Sequence, residues 1–375
     1  MVQLKPFEGA TNRTSVAVFG KGYPIRYPVS YSYWVKKKEG RGSAIGFDTP
    51  YEEVTKELVT FRKWHAEPVD AEDKTSPWIT AKPKALKALR KILGKSEYVA
   101  HEGANTGGAN AIYWVEITGT RPGGMAIISN ITEGAKKKAT STHAAVEEAL
   151  LYPLLRGRDV GRWSAIPSAH ILMTQDPKRR RGIDSRTMET TYPRGHSYLV
   201  KFEKALRARA AFRRYFRDDD PFWSMFNVGE YTLSPWKVVW REQAAGLMAA
   251  VVGPVKRRPV VPDHKLMSVD VASSEEGYYL CAALNSAPAR LATLAYSIEV
   301  SMSPHILKNI RISRFSRKSR THARLSQLSE AAHKATHDAA EVRRIEDEVD
   351  RVAARLWDLT DEELAEIRSS LADLE

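Results

Sequence analysis

With a single cysteine among its 375 residues, Cys281, the chain can form no internal disulfide, which fits a reducing, cytoplasmic setting. That cysteine stands in the apolar run Tyr278–Leu284 and reads as a packed core residue, not a nucleophile. Apolar runs are short: none approaches the ~20 residues of a spanning helix, and the N-terminus has no signal-peptide pattern, so no membrane partner is expected. Histidines are scattered, and with one thiol no zinc-ligand spacing exists. Internal repeats and low-complexity tracts are absent as well. Acidic charge is scarce over most of the length. Residues 321–375 carry 7 Lys+Arg and 14 Asp+Glu, which leaves 51 and 31 in residues 1–320, a net of +20 where the whole chain has +13. A basic body with an acidic tail implies a polyanion-binding surface plus a separate element. A generally basic protein that binds nucleic acid nonspecifically would carry the same charge.

What is present is core-forming material. Nine Trp, fifteen Tyr and 43% hydrophobic residues exclude disorder for most of the chain. The length suits two domains, or one large domain with a helical extension. Two apolar runs, Ser15–Phe19 and Ile25–Tyr33, flank Gly20-Lys21-Gly22 and predict a hairpin. Helices are predicted at about 51–64 and 83–94, with strands over Ala111–Ile117 and Met125–Ser129. A short helix is predicted over Thr142–Leu151 and a long one over 197–217. Strands follow at Trp236–Trp240, Met248–Val252 and Pro259–Val269, then a helix near Ser274–Asn285. From Thr321 the pattern is helical. Val342, Ile345, Val349, Val352 and Leu356 recur at helical spacing. Thr360 and Glu363 form a capping box ahead of inward-facing Leu364 and Ile367. This tail either packs on the body or docks onto a partner.

Nuclease chemistry finds only fragments. Asp176-Pro177-Lys178 and Glu72-Asp73-Lys74 match the short half of a metal-nuclease motif, and such triplets are frequent by chance. Recognition chemistry is better represented. Residues 103–117, GANTGGANAIYWVEI, set a glycine-rich loop before a strand, where Asn105, Thr106 and Asn110 can donate to and accept from base edges. A turn rich in glycine for steric reasons alone fits the same residues. In LYPLLRGRDVGRW, Leu151–Trp163, the arginines Arg156, Arg158 and Arg162 bracket a Gly turn. One is expected to pair with Asp159, leaving two for phosphate or guanine. The basic clusters Lys136, Lys137 and Lys138, then Lys178–Arg181 with Arg179 and Arg180, then Lys256–Arg258 with Arg257, are candidates to track a DNA backbone. His264 and Lys265 lie in a candidate contact loop, and Lys237 and Arg241 join the set from WKVVWRE. Lys201, Lys204, Arg207, Arg213, Arg214 and Arg217 line one helix that could neutralise phosphates, although a solvated face is the commoner meaning of such a run.

Taken in order, these segments resemble the C-terminal target-recognition (specificity) region of Type II and Type IIG restriction–modification adenine-N6 DNA methyltransferases. The matching blocks are Phe7–Trp34, the TGGANA loop, LYPLLRGRDVGRW, DPFWSMFNVGEYTLSP, WKVVWRE, VPDHKLMSV, YYLCAALNSAP, His305-Ile306-Leu307 and the closing RLWDLTDEELAEI. The resemblance implies an α+β chain in three parts. Residues 1–35 would be the final strands of a methyltransferase sheet, 36–315 a mixed α/β target-recognition domain, and 316–375 a helical extension. The catalytic signature of such enzymes is missing: Asp, Asn or Ser, then Pro-Pro, then an aromatic that stacks on the flipped base. Ser76-Pro77-Trp78 and Ser234-Pro235-Trp236 each have one proline too few, and Phe19-Gly20-Lys21-Gly22 has the wrong spacing for the cofactor loop. No cofactor is therefore expected on this chain. S-adenosylmethionine is expected on a catalytic methyltransferase polypeptide that acts as partner. The expected function is sequence-specific recognition of double-stranded DNA, as the specificity part of a split or truncated methyltransferase in restriction–modification or phage defence. The alternatives are an inactive remnant with nonspecific DNA binding, or a nuclease whose active site goes unrecognised.

Overall fold

Alternation of buried and open side chains sets the first strands. The computed structural model describes residues 16–18, 20–37, 45, 48–134, 139–296 and 302–374. In it Val29–Lys36 runs antiparallel to Val59–Pro68, with Tyr31 opposite Trp64 and Trp34 opposite Phe61. Trp78–Ala81 adds a third strand. The hairpin expected across Gly20–Gly22 is corrected: residues 16–18 belong to no strand, and Ser15 and Phe19 lie outside the described residues. The helix expected over 51–64 is corrected too. It reduces to Tyr51–Glu53 and a wide turn at Val54–Leu58, and the chain then extends. Trp64, Ala66 and Pro68 bury at a period of two, which only a strand provides.

Two larger sheets carry the rest. The six-stranded sheet runs in the order 261–262, 151–155, 169–172, 114–121, 125–130, 143–147. Its pairs are antiparallel except 261–262 with 151–155. The four-stranded sheet runs 249–252, 236–241, 266–271, 101–102. Residues 263–265 carry the chain from one sheet to the other. The helix expected over Thr142–Leu151 is a strand, His143–Glu147, then a tight turn and the strand Leu151–Leu155. Ala144 and Val146 pair with Ile128 and Ala126, so a sheet neighbour outweighs alanine's helical preference. Ala111–Ile117 begins as a helical turn, Asn110–Tyr113, before the strand Trp114–Arg121. The long helix over 197–217 is broken into Pro193–Val200, Glu203–Arg207 and Ala210–Tyr215. At the second break the buried Arg209 guanidinium takes the carbonyls of Leu206, Thr106 and Phe222.

Other expectations hold closely. Helices form at Pro83–Ile92 and Ser274–Asn285, and strands at Met125–Asn130, Trp236–Arg241 and Ala249–Val252. Thr360 and Glu363 cap each other's amides at 3.2 and 2.9 Å. The fold is α+β with C-terminal helices Arg320–Lys334, Ala339–Ala354 and Asp361–Ala372. Ile345, Val349, Val352 and Ile367 enter the same core as Leu89, Trp240 and Leu280, so the tail's apolar stripe is spent within the molecule. Cys281 lies inside this core, where burial pushes its thiol up. A second core lies under the six-stranded sheet, where Tyr113, Ile128, Leu154 and Ile171 meet Tyr198, Leu206 and Phe212. Among the described residues no helix is long and apolar enough to cross a membrane.

Candidate nucleic-acid interface

The glycine-rich loop leaves the edge of the four-stranded sheet at His101-Glu102, paired with Ser268 and Met267. Gly103 follows, and a Cβ there would fall 2.1 Å from the Asp263 carbonyl oxygen, so only glycine lets the two backbones pass. Ala104 donates to the Pro262 carbonyl at 2.8 Å, and the Asn105 backbone exchanges hydrogen bonds with Phe226 at 3.0 and 2.8 Å. The Asn105 side-chain oxygen accepts from the Gly107 amide at 2.8 Å, and the Thr106 hydroxyl donates to Asn110 Oδ1 at 2.6 Å. Gly107 and Gly108 both have positive φ, 67° and 86°. Behind them Arg209 is fully buried against Tyr113, Phe212 and Phe226. The loop is therefore held in one shape from beneath, with Asn105 and Asn110 half-buried and Gly108 exposed. Thr106 is a correction to the contact set: it is buried and its hydroxyl is used inside the loop.

Four further segments connect to the loop or to residues that pack against it. In the turn 263–265 the buried Asp263 carboxylate accepts from the Lys265 amide at 2.8 Å. Burial pushes that carboxyl up, against the backbone hydrogen bonds from Lys265 and Gly157 and the neighbouring His264 and Lys265 side chains. Lys265 is exposed, and His264 is half-buried, its Nδ1 out of water and without a partner among the described residues. Gly157 lies next to it, with room for a Cβ 3.7 Å from Lys265 Cβ. The arginines around that glycine separate sharply. Arg156 is buried, bound to Ser168 Oγ at 2.7 Å and 3.6 Å from Asp159, a correction to its assignment as a contact. Arg162 pairs with Glu346 of the C-terminal helices at 3.0 Å. Arg158 is 71% exposed.

On another side, the short strands Gln175–Asp176 and Arg181–Gly182 carry Arg179 and Arg180 at their tip. Asp176 organises this tip by accepting from the Lys178 and Arg179 amides. Arg180, with φ 54°, sits near enough to His101 to help burial hold that imidazole below its ordinary value, against the pull of Asp270. His101 stacks on Tyr231 at 3.9 Å. Beyond Phe226, the helix Ala210–Tyr215 presents exposed Arg213 and Arg214, with Arg214 5.2 Å over the Tyr215 ring. Tyr215 lies 6.0 Å from Phe226.

Other candidates lie elsewhere. Lys237 is a correction: it is fully buried in its strand, donates to the Ser234 carbonyl and faces Asp270 across the sheet. Burial pushes its ammonium down to about 7, and no DNA can reach it. Arg241 is half-buried at the end of the same strand, and Arg257 lies in a separate turn. Lys136, Lys137 and Lys138 lie outside the described residues. Sequence reading missed Arg209, His101 and Asn227. Asn227, with φ 53°, binds Glu102 at 2.8 Å, and the Asn-Val-Gly run was the signal for a turn there. Gly20–Gly22 forms a turn with no strand before it among the described residues.

No family model matches the chain. Over 146 residues, 39% of its length, it is 28% identical to the Type II methyltransferase M.NspV of Nostoc sp.. It spans 29% of that relative. Among solved structures, the Type IIL restriction-modification enzyme MmeI, determined in complex with DNA, superposes on 76% of this chain with a TM-score of 0.42 and 8% identity. The matched part is 37% of MmeI.

Proposed function

We propose that this chain recognises a specific sequence in double-stranded DNA, as the specificity part of an adenine-N6 methyltransferase of the restriction–modification type. Methyl transfer and S-adenosylmethionine then belong to a catalytic polypeptide that acts with it. One observation carries the reading: exposed cations, Arg158, Lys265, Arg179, Arg180, Arg213 and Arg214, stand on separate segments that pack near a glycine loop fixed from beneath by Arg209. Cations of this kind grip phosphates and set register, and a rigid loop among them reads base edges in the major groove. The similarity to a Type II methyltransferase supports the same assignment.

The test is selection from random duplex DNA by the purified chain, with and without a candidate catalytic polypeptide. One enriched motif is the expected result. Arg158→Ala with Lys265→Ala should weaken binding to every sequence by about tenfold, leave the motif as it is and lower the salt slope by about 2. Binding without enrichment, falling steeply with salt, would instead mean a basic surface and no reader.

A further inference from the structure

The outer face of the six-stranded sheet holds a groove of about 520 Å³, floored by Ile117, Pro153, Ile166, Pro167 and Val255, with His170 in its wall. Ile166 is 72% exposed. At one end, the Ile166 amide meets the Asp159 carbonyl at 3.3 Å, next in sequence to exposed Arg158. At the other, Val255 opens the two-residue turn Lys256-Arg257. Val255 and Arg258 exchange both backbone hydrogen bonds at 2.9 Å, and φ is 47° at Lys256 and 67° at Arg257.

Such a turn requires positive φ at both central residues, which is why Asn-Gly normally fills it. Lys and Arg are strained there. The turn is closed by backbone alone: both side chains are exposed, and neither makes a hydrogen bond or ion pair among the described residues. Their neighbour Arg258 fixes the turn to the sheet, stacking 5.1 Å over Tyr152 and donating to the Ala149 carbonyl at 3.0 Å. A rigid turn thus projects two cations beside an apolar groove whose lining includes a single acidic residue, Glu116.

We propose that the Lys256-Arg257 turn and this groove form a second DNA-contact surface. It grips the sugar–phosphate backbone of the same duplex, outside the bases read by the glycine loop. The inference rests on the recognition reading above. The two cations take phosphates, and Ile117, Ile166 and Val255 take the apolar faces of the deoxyriboses. Strain is then the cost of holding two positive charges where the backbone passes.

The variant Lys256→Asn/Arg257→Gly tests this, because Asn-Gly relieves the turn and the protein should fold with an unchanged or higher Tm. On a duplex extending well past the selected motif, affinity should fall by about tenfold and the slope of log K against log salt by about 2. The selected motif should not change, since phosphate contacts carry no base information. On a duplex trimmed to the motif, wild type and variant should bind alike. If wild type enriches a motif while the variant matches it in affinity and salt slope on the long duplex, this second surface is overturned and the recognition reading stands. The same result with loss of the catalytic polypeptide would assign the turn to a protein partner instead. A wild type that enriches no motif overturns the recognition reading, and this inference with it.

Discussion

Burial separates Lys237 from the cations around the glycine loop. Its ammonium lies under the sheet, bound to the Ser234 carbonyl, while Lys265 and Arg158 stand in water. Lys237→Met should therefore change DNA affinity by less than about twofold, where a phosphate-contacting lysine would change it by tenfold. The variant also has a pH signature. The native lysine loses its proton near 7, whereas the unfolded chain keeps it to about 10.5. The unfolded state binds more protons between those values, so wild-type stability rises with pH from 7 toward 10.5. Urea midpoints across that range should climb for wild type relative to Lys237→Met. A parallel course in both proteins would show that Lys237 is solvated.

At the scale of elements, the Arg156–Trp163 segment is anchored from the C-terminal side of the chain. The Trp163 indole N–H and the Arg162 guanidinium both donate to Glu346 Oε1, at 2.8 and 3.0 Å. Trp163 is buried with φ 65°, an uncommon backbone for a bulky residue. Glu346→Ala leaves an indole N–H unpaired in a nearly dry site, at a cost of roughly 1–3 kcal/mol. We expect that loss in urea titration together with weaker DNA binding, because the turn carrying Arg158 loses its tether. Glu346→Gln keeps an acceptor and should recover part of both. Loss of stability with full DNA affinity would separate the tether from the interface.

Across the whole molecule, the acidic tail is part of the body. Its helices share the main core, and Asp373 and Glu363 pair with Arg62, Lys82 and Lys91 of the basic part. His333 joins the two by accepting the Val251 amide on Nε2 at 2.9 Å, with Nδ1 on the Ser329 carbonyl at 2.7 Å. Burial holds this histidine down to about 4, against the opposing pull of the Ser329 carbonyl and Glu330. Below its ordinary 6.5 the unfolded chain takes up a proton that the native state refuses, so stability falls from pH 6.5 to about 4. The loss is on the order of 3 kcal/mol. Denaturation midpoints at pH 7 and pH 4.5 should show it in wild type and much less in His333→Gln. An equal drop in both would place the titrating group elsewhere.

Local chemistry was legible wherever it decided the outcome alone. The Thr360–Glu363 cap, the Ser274–Asn285 helix, the strand Trp236–Arg241 and the burial of Cys281 all follow from spacing and side-chain type. So did the place of the glycine loop, ahead of the strand Trp114–Arg121. What depended on distant partners was not legible. Val59–Pro68 and His143–Glu147 carry residues acceptable to a helix, and only their sheet neighbours make them strands. A run of arginines looks uniform in sequence, yet Arg209 became a buried pin, Arg156 and Arg162 internal anchors, and Arg158 an exposed cation at the edge of Asp159's reach. The reason is physical. Composition and periodicity fix what a segment can bury, whereas the role of each charge depends on which carbonyl or carboxylate the tertiary fold brings within 3 Å of it.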